Sequence, residues 1–129
     1  MNTNRTILIV EDNNSNRLLM SDILNYQGYT VLEAKNGVEG IEKAREYRPD
    51  LVLMDIQMPV MDGFTAARIL KDDPLTRQIR LIAITAFAMH GDRERILAAG
   101  FDDYIAKPIA IREFPRTIQS YLEQGDNRE

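Results

Sequence analysis

The chain has 129 residues, a formal net charge of −4 and 44% hydrophobic residues, values typical of a small globular domain with a single core. It has no cysteine and one histidine, His90, which excludes disulfides and zinc–sulfur sites and leaves little for a histidine-based metal site or a Ser-His-Asp triad. No basic stripe indicates direct nucleic-acid binding, and no apolar run is long enough for a signal peptide or a membrane span, so we expect a cytoplasmic protein.

Short apolar runs and helical patterns alternate five times along the chain. Each run has the length of a strand and is followed by polar residues and then by apolar residues at helical spacing. The predicted strands cover residues 7–10, 30–34, 51–54, 81–84 and 104–106. The helices are bounded by cap and breaker residues, namely Asn13 and Gly28, Asn36 and Pro49, Asp62 and Pro74, and Gly100 after the fourth helix.

The first and last helices carry the clearest apolar faces. The positions expected to be buried in the first helix are Leu19, Met20, Ile23 and Leu24. The apolar positions of the last helix are Ile111, Phe114, Ile118, Tyr121 and Leu122. Pro115 must lie in the first turn of that helix, because a proline has no amide to donate further along.

Five strand–helix units predict an α/β fold, a doubly wound parallel sheet with helices on both faces. We expect one domain over residues 1–129, with its core at 6–123 and a polar tail at 124–129. Periodicity alone does not determine the strand order. No strand is followed by the glycine pattern of dinucleotide-binding folds or by a Walker A loop, so neither kind of nucleotide site is expected.

Charged residues stand at the ends of three of the predicted strands. Glu11 and Asp12 follow the first run, Asp55 follows the third, and Lys107 follows the fifth. The carboxyl ends of parallel strands open onto one crevice, where such sheets bind their ligands. Clustered carboxylates repel one another and need a counter-cation, so the pattern predicts a divalent metal with oxygen ligands and a site for phosphate chemistry.

With these residues the chain resembles the response regulator receiver domain, of the CheY-like superfamily. The matching segments are Glu11-Asp12, residues 55–63 (Asp-Ile-Gln-Met-Pro-Val-Met-Asp-Gly), Thr85-Ala86 and Lys107-Pro108. The resemblance covers residues 7–122 and implies a flavodoxin-like sheet of order 2-1-3-4-5 with five helices. Residues 85–92 are also similar to stand-alone receivers, including those that regulate cell-division kinases.

The resemblance implies a phosphorelay function with Asp55 as the phosphoacceptor. The donor would be a phosphohistidine on a histidine kinase or a histidine phosphotransfer protein, and a small donor such as acetyl phosphate could replace it. Mg²⁺, or Mn²⁺ in its place, would be held by Glu11, Asp12, Asp55 and the backbone carbonyl of Gln57. The protein would catalyse only its own phosphorylation and dephosphorylation.

The resemblance also implies a switch and a *cis* peptide. Lys107 would pair with Asp55 at rest and with the phosphoryl group afterwards, and the Lys107–Pro108 bond would be *cis*. Thr85 and Ala86 would close on the phosphate while Tyr104 turns inward and alters the surface that an unidentified downstream protein recognises.

A docking surface for the donor is predicted on the first helix. Leu18 points nearly opposite to the predicted buried face, close to the crevice, and an apolar residue there could anchor a helical partner. Asn14 and Arg17 would add polar contacts. His90 is expected to be a solvated loop residue.

Two alternatives to a stand-alone phosphorylated receiver remain open. The chain could be a pseudo-receiver that docks partners without phosphorylation, or the receiver fragment of a hybrid histidine kinase. A haloacid-dehalogenase-like phosphatase is disfavoured, because Gln57 stands where that family needs its second aspartate. The chain ends soon after the last helix, so we expect output through a partner protein, with no direct contact to nucleic acid or membrane.

Overall fold

Five strands alternate with five helices in the computed structural model, which describes residues 5–86 and 91–126, with side chains to residue 123. The strands are β1 (Thr6–Val10), β2 (Thr30–Ala34), β3 (Leu51–Asp55), β4 (Arg80–Thr85) and β5 (Asp103–Ala106). The helices are α1 (Asn14–Tyr26), α2 (Gly37–Tyr47), α3 (Gly63–Asp72), α4 (Asp92–Ala98) and α5 (Phe114–Asp126). The expectation for His90 lies outside the described residues.

The strands form one parallel sheet in the order β2-β1-β3-β4-β5. This confirms both the predicted fold class and the strand order that the receiver resemblance implied. β1 and β3 are neighbours at the centre, with Val10 opposite Met54, so the residues that follow them leave the sheet side by side. β4 separates β3 from β5, and Thr85 lies opposite Ala106.

Two apolar layers enclose the sheet, because successive side chains of a strand point to opposite faces. Leu8, Val52 and Leu81 face the layer completed by α2, α3 and α4, whereas Ile7, Leu51 and Ile82 face the layer completed by α1 and α5. The buried strands therefore read as continuous apolar runs, as expected for a sheet covered on both faces.

Three helices start at side-chain caps that the sequence marks clearly. Asn13, Asn36 and Asp62 each accept a hydrogen bond from the amide three residues later, at 2.8–2.9 Å. Such caps satisfy amides that the first turn of a helix leaves without a partner. Asn13 and Asp62 lie in the connections that follow β1 and β3. These caps therefore also determine where α1 and α3 begin, near the carboxyl edge of the sheet.

The predicted buried face of α1 is partly wrong. Leu19 is 37% exposed, and the buried residues are Arg17, Met20, Ser21 and Leu24. These four positions also have helical spacing. The prediction selected a neighbouring face of the helix instead, because two of the four residues are polar. They can be buried because Glu33 of β2 lies opposite and bonds to both Arg17 and Ser21.

The start of α5 also differs from the expectation. Ile111 is 58% exposed and lies in a turn before the helix, which begins at Phe114. Pro115 is consequently the second helical residue, where no intrahelical amide is required. Within the described ranges, no helix combines the length and apolar character that crossing a bilayer requires.

Candidate functional site

Three carboxylates meet at the carboxyl edge of the sheet. Glu11 and Asp12 follow β1, and Asp55 is the last residue of the neighbouring strand β3. One oxygen from each lies within 4.8 Å of the others. Glu11 and Asp55 are buried, at 1% and 5% exposure, whereas Asp12 is exposed. The cluster therefore combines two desolvated carboxylates with one that faces solvent.

Lys107 supplies the positive charge of this crevice. Its Nζ lies 3.1 Å from Asp55 Oδ2 and 3.1 Å from Glu11 Oε1. The Lys107 amide donates to the Thr85 carbonyl at 2.8 Å, and the Lys107–Pro108 peptide is *cis*. The side chain thus reaches past β4 to join the ends of β1 and β3, so all four charged residues named by the sequence pattern converge.

The pKa of Glu11 records the charge imbalance of the cluster. Burial, together with the neighbouring Asp55 carboxylate, raises this pKa from 4.5 to about 7, although the Asn13 amide and Lys107 oppose the change. Burial tends to lower the pKa of Lys107, but Asp55 and Glu11 outweigh that effect and the pKa is raised. Lys107 therefore remains charged while the Glu11 carboxyl favours retaining a proton.

The donor set fits a hard divalent cation. The three side-chain candidates offer carboxylate oxygens, which Mg²⁺ prefers. Glu11 Oε1 is buried and, among the described residues, accepts no well-aligned hydrogen bond even though Lys107 Nζ lies nearby. Lys107 is shared between Glu11 and Asp55, and a divalent cation would offset the negative charge of the three carboxylates that one lysine leaves unbalanced.

The residues expected to act as the switch surround this cluster. Thr85 is buried at the end of β4, and Ala86 is exposed directly after it. Tyr104 of β5 is half-buried and packs against the layer formed with α2, α3 and α4. Thr85 and Gln57 also line a cleft of about 660 Å³ between the β3–α3 connection and α4.

Gly63 is a feature of the site to which the sequence analysis assigned no role beyond the matched segment 55–63. A Cβ at this position would lie 2.7 Å from the Asp55 carbonyl oxygen and 2.7 Å from Ile56 Cα. The Gly63 amide donates to the Ile56 carbonyl at 2.8 Å. The start of α3 thus packs directly against the backbone that carries Asp55, and the short spacing between Asp55 and Gly63 was the available signal.

Replacing Gly63 with alanine should therefore displace Asp55. We expect a loss of about 1–3 kcal/mol in the free energy of unfolding, typical of overpacking, and slower phosphoryl uptake from a small phosphodonor. Urea denaturation and the initial rate of uptake measure the two effects. In the control Gly40→Ala the added methyl meets the Val10 side chain, at 2.8 Å, rather than the Asp55 backbone. Equal uptake rates in both variants would contradict the role of Gly63.

The three residues predicted for docking lie in different environments. Leu18 is 58% exposed and Asn14 is also exposed, as a contact surface requires. Arg17 is only 8% exposed, and its guanidinium bonds to Glu33, Asn14 and the Glu11 carbonyl. Assigning Arg17 to a docking surface was therefore wrong, because its polar atoms already have partners inside the protein.

The fold and this crevice together define a receiver domain of two-component signalling. The chain belongs to the response regulator receiver family, because the sequence model of the response regulator receiver domain matches residues 7–119. It is a response regulator of this family and not a conventional enzyme.

Similar full-length proteins point to the same family. The chain is 48% identical over 118 residues to the polar-differentiation response regulator DivK of *Brucella anthropi*. These residues make up 92% of this chain and 96% of that protein. It is 47% identical, with the same coverage, to the DivK protein of *Brucella ovis*.

Two solved structures share the fold closely. The receiver domain of a sensor histidine kinase from *Pseudomonas aeruginosa*, solved with a magnesium ion in its active-site cleft, has a TM-score of 0.85 and 38% identity, covering 92% of this chain and 98% of that one. A CheY-like receiver domain protein from *Methanospirillum hungatei* has a TM-score of 0.88 and 29% identity, covering 97% and 98%.

Proposed function

We propose that Asp55 accepts a phosphoryl group from a phosphohistidine on a histidine kinase or a histidine phosphotransfer protein. The observation that carries this proposal is the position of the Asp55 carboxylate, 3.1 Å from Lys107 Nζ and within a cluster of two further carboxylates. A nucleophile that is held beside a fixed cation, in a crevice open on one side, suits phosphoryl transfer, which depends mainly on positioning and charge neutralisation.

In the transfer, an Asp55 carboxylate oxygen forms a bond to phosphorus while the phosphorus–nitrogen bond of the donor breaks. The electron pair of that bond returns to the imidazole nitrogen, and Asp55 becomes an acyl phosphate. Lys107 lies where its ammonium can follow the negative charge from the Asp55 oxygen to the phosphoryl oxygens.

A divalent cation is part of this proposal. Glu11, Asp12, Asp55 and the backbone carbonyl of Gln57 would hold Mg²⁺, and Mn²⁺ could replace it. The bound cation would neutralise charge on the phosphoryl oxygens. The buried Glu11 oxygen without a well-aligned hydrogen bond and the magnesium in the related *Pseudomonas* receiver support the assignment.

Phosphorylation would act as a switch through Thr85, Ala86 and Tyr104. The Thr85 hydroxyl would donate to a phosphoryl oxygen, Ala86 would close over it, and Tyr104 would turn further inward. Tyr104 is half-buried, so part of its surface remains to be buried by such a movement. Such a population shift needs a phosphoryl group that favours one state by a few kcal/mol, and it would change the surface offered to a downstream protein.

The test is phosphoryl uptake by the wild-type chain. With Mg²⁺ and acetyl phosphate, the intact mass should increase by one phosphoryl group, and a chelator should prevent this. A pseudo-receiver would bind partners without gaining the group under any of these conditions, so absence of uptake would favour that alternative. A receiver fragment of a hybrid kinase would also take up one group. To distinguish the hybrid-kinase alternative, the rate of phosphoryl transfer from a separate kinase is compared with the rate from a kinase that is covalently linked to the receiver.

Docking of the donor is proposed for the exposed side of α1. Leu18 is 58% exposed and lies one turn after the start of the helix, which begins three residues after Glu11. Asn14 is exposed at the first position. An apolar side chain next to the crevice is suited to contact a helical phosphodonor while the phosphohistidine reaches Asp55. We also propose a cytoplasmic location, where such donors meet their receivers.

Truncating Leu18 should separate docking from chemistry. Leu18→Ala should slow phosphoryl transfer from a histidine kinase or phosphotransfer protein about tenfold, the loss expected for one moderate anchor, and leave uptake from acetyl phosphate unchanged. Rapid-quench kinetics with both donors gives the comparison. Leu75→Ala, at a leucine that is 44% exposed between α3 and β4, is the matched control and should alter neither rate. Identical rates for Leu18→Ala and wild type with the protein donor would remove Leu18 from the docking surface.

A further inference from the structure

The buried arginine of α1 makes three side-chain bonds to three different partners. Arg17 Nε donates to Glu33 Oε1 at 3.0 Å, Nη2 donates to Asn14 Oδ1 at 2.6 Å, and Nη1 donates to the Glu11 carbonyl at 2.8 Å. The guanidinium is planar and rigid, so these bonds together determine its position. It links α1, β2 and the turn that follows β1.

The Glu11 carbonyl belongs to the peptide group that joins Glu11 to Asp12. The Glu11 amide donates to the Ala34 carbonyl at 3.0 Å, and the Glu11 carboxylate accepts at 3.2 Å from the Asn13 amide, which belongs to the peptide after Asp12. Of these three groups of Glu11, the carbonyl is the one in the peptide directly before Asp12, and Arg17 is its partner. Rotation of that peptide would turn the Asp12 side chain, which is exposed and, among the described residues, forms no side-chain hydrogen bond that would orient it independently.

The partner of Arg17 on β2 is itself held in place. Glu33 Oε2 accepts from the Ser21 hydroxyl at 3.1 Å, and the Glu33 carbonyl accepts from Lys43 of α2. The Glu33 side chain is 42% exposed, but these two bonds hold its carboxylate and its backbone in place. A charged group on the buried face of a helix is costly to desolvate, and packing alone would be served as well by methionine or leucine.

We propose that Arg17 is a positioning residue for the divalent cation, acting through the Glu11–Asp12 peptide. The proposal rests on the proposed function, because it presupposes that Asp12 ligates the metal. Groups that orient metal ligands without touching the metal commonly alter affinity by about tenfold or more when they are removed. Arg17 would have this effect from a buried position of α1, whereas Leu18 of the proposed donor contact is exposed.

The first experiment measures Mg²⁺ binding without any phosphodonor, by isothermal titration calorimetry. Arg17→Met keeps much of the side-chain volume but removes the three donors, and should raise the dissociation constant of Mg²⁺ about tenfold. Arg17→Lys keeps the charge but not the planar fork, and should restore only part of the affinity. Arg45→Met is the matched control, since Arg45 forms an ion pair of 3.0 Å with Asp73 between α2 and α3, and should bind Mg²⁺ like wild type.

A double-mutant cycle tests whether the effect passes through Asp12. If it does, Arg17→Met should weaken Mg²⁺ binding in the wild-type background but much less in the Asp12→Ala background. Full additivity of the two losses would overturn the proposal, and so would unchanged affinity in both Arg17 variants. Should Arg17→Met fail to fold by circular dichroism, the same cycle with Arg17→Lys decides the question.

The controls separate this inference from the proposed function. If the wild-type chain itself does not bind Mg²⁺, the metal assignment fails and the role of Arg17 fails with it. If wild type binds Mg²⁺ and takes up the phosphoryl group but the Arg17 variants bind the metal equally well, only the positioning role fails. The amide resonance of Asp12 in nuclear magnetic resonance spectra gives a second readout, because it should shift in the Arg17 variants before metal is added and stay unchanged in Arg45→Met.

Discussion

Asp55→Asn should abolish phosphoryl uptake from acetyl phosphate in the presence of Mg²⁺. The substitution keeps the shape of the side chain but replaces a carboxylate oxygen with an amide, which cannot form an acyl phosphate under these conditions. Asp55 is 5% exposed and lies 3.1 Å from Lys107 Nζ, and Glu11, which lies at the same distance, is the neighbouring carboxylate that the experiment must exclude. Intact-mass measurement over time should detect one added phosphoryl group in wild type and none in the variant.

The matched control for this experiment is Asp62→Asn. Asp62 caps α3 by accepting from the Thr65 amide at 2.8 Å, a role that asparagine performs about equally well. The control should take up one phosphoryl group, like wild type. Full labelling of Asp55→Asn would refute Asp55 as the acceptor, and would direct attention to Glu11 or Asp12 as the modified group.

Glu11→Gln should remove a pH dependence of stability that the wild-type crevice creates. Burial beside Asp55 raises the pKa of Glu11 from 4.5 to about 7, so the folded chain retains a proton that the unfolded chain has released over this interval. The stabilisation from this proton is complete below about pH 4.5 and is lost as the pH rises through about 7. The loss amounts to about 3 kcal/mol, by the conversion of roughly 1.4 kcal/mol for each pKa unit.

Urea denaturation at a series of pH values, with a chelator present to exclude divalent metals, provides the measurement. Between about pH 5 and about pH 8, a range that brackets the titration of Glu11, the free energy of unfolding of wild type should fall relative to that of Glu11→Gln. Glu39→Gln, at the start of α2 and outside the acidic cluster, should follow wild type. A constant difference between wild type and Glu11→Gln across this range would show that Glu11 does not hold the additional proton.

The residues of the candidate site could be named from the sequence because they follow directly from strand ends. Glu11, Asp12 and Asp55 stand after apolar runs, and parallel strands bring their carboxyl ends to one edge. Lys107 lies much further along the chain. It follows β5, and β4 separates β5 from β3, the strand that carries Asp55. Its contact with Asp55 followed from the receiver resemblance, because strand order is not encoded in local periodicity.

Arg17 and Leu19 illustrate where sequence reasoning about α1 failed. Hydrophobicity favoured Leu19 for the buried face, whereas the structure buries Arg17 and Ser21 and leaves Leu19 37% exposed. Both sets of positions, the predicted face and the observed buried face, have helical spacing. Apart from hydrophobicity, nothing within the helix distinguishes the two sets. Glu33 makes the difference, because it lies on β2 opposite α1 and offers both of its carboxylate oxygens to the polar stripe.

By itself, the sequence determined the alternation of strands and helices, the caps that start α1, α2 and α3, and the acidic residues that leave β1 and β3. These features depend on residues close together in the chain, where periodicity and capping act. Only the tertiary structure decided that Gly63 packs against the Asp55 backbone and that Arg17 holds the Glu11 carbonyl. Both contacts require separate elements to approach within bonding distance, and that approach is determined by the packing of helices on the sheet.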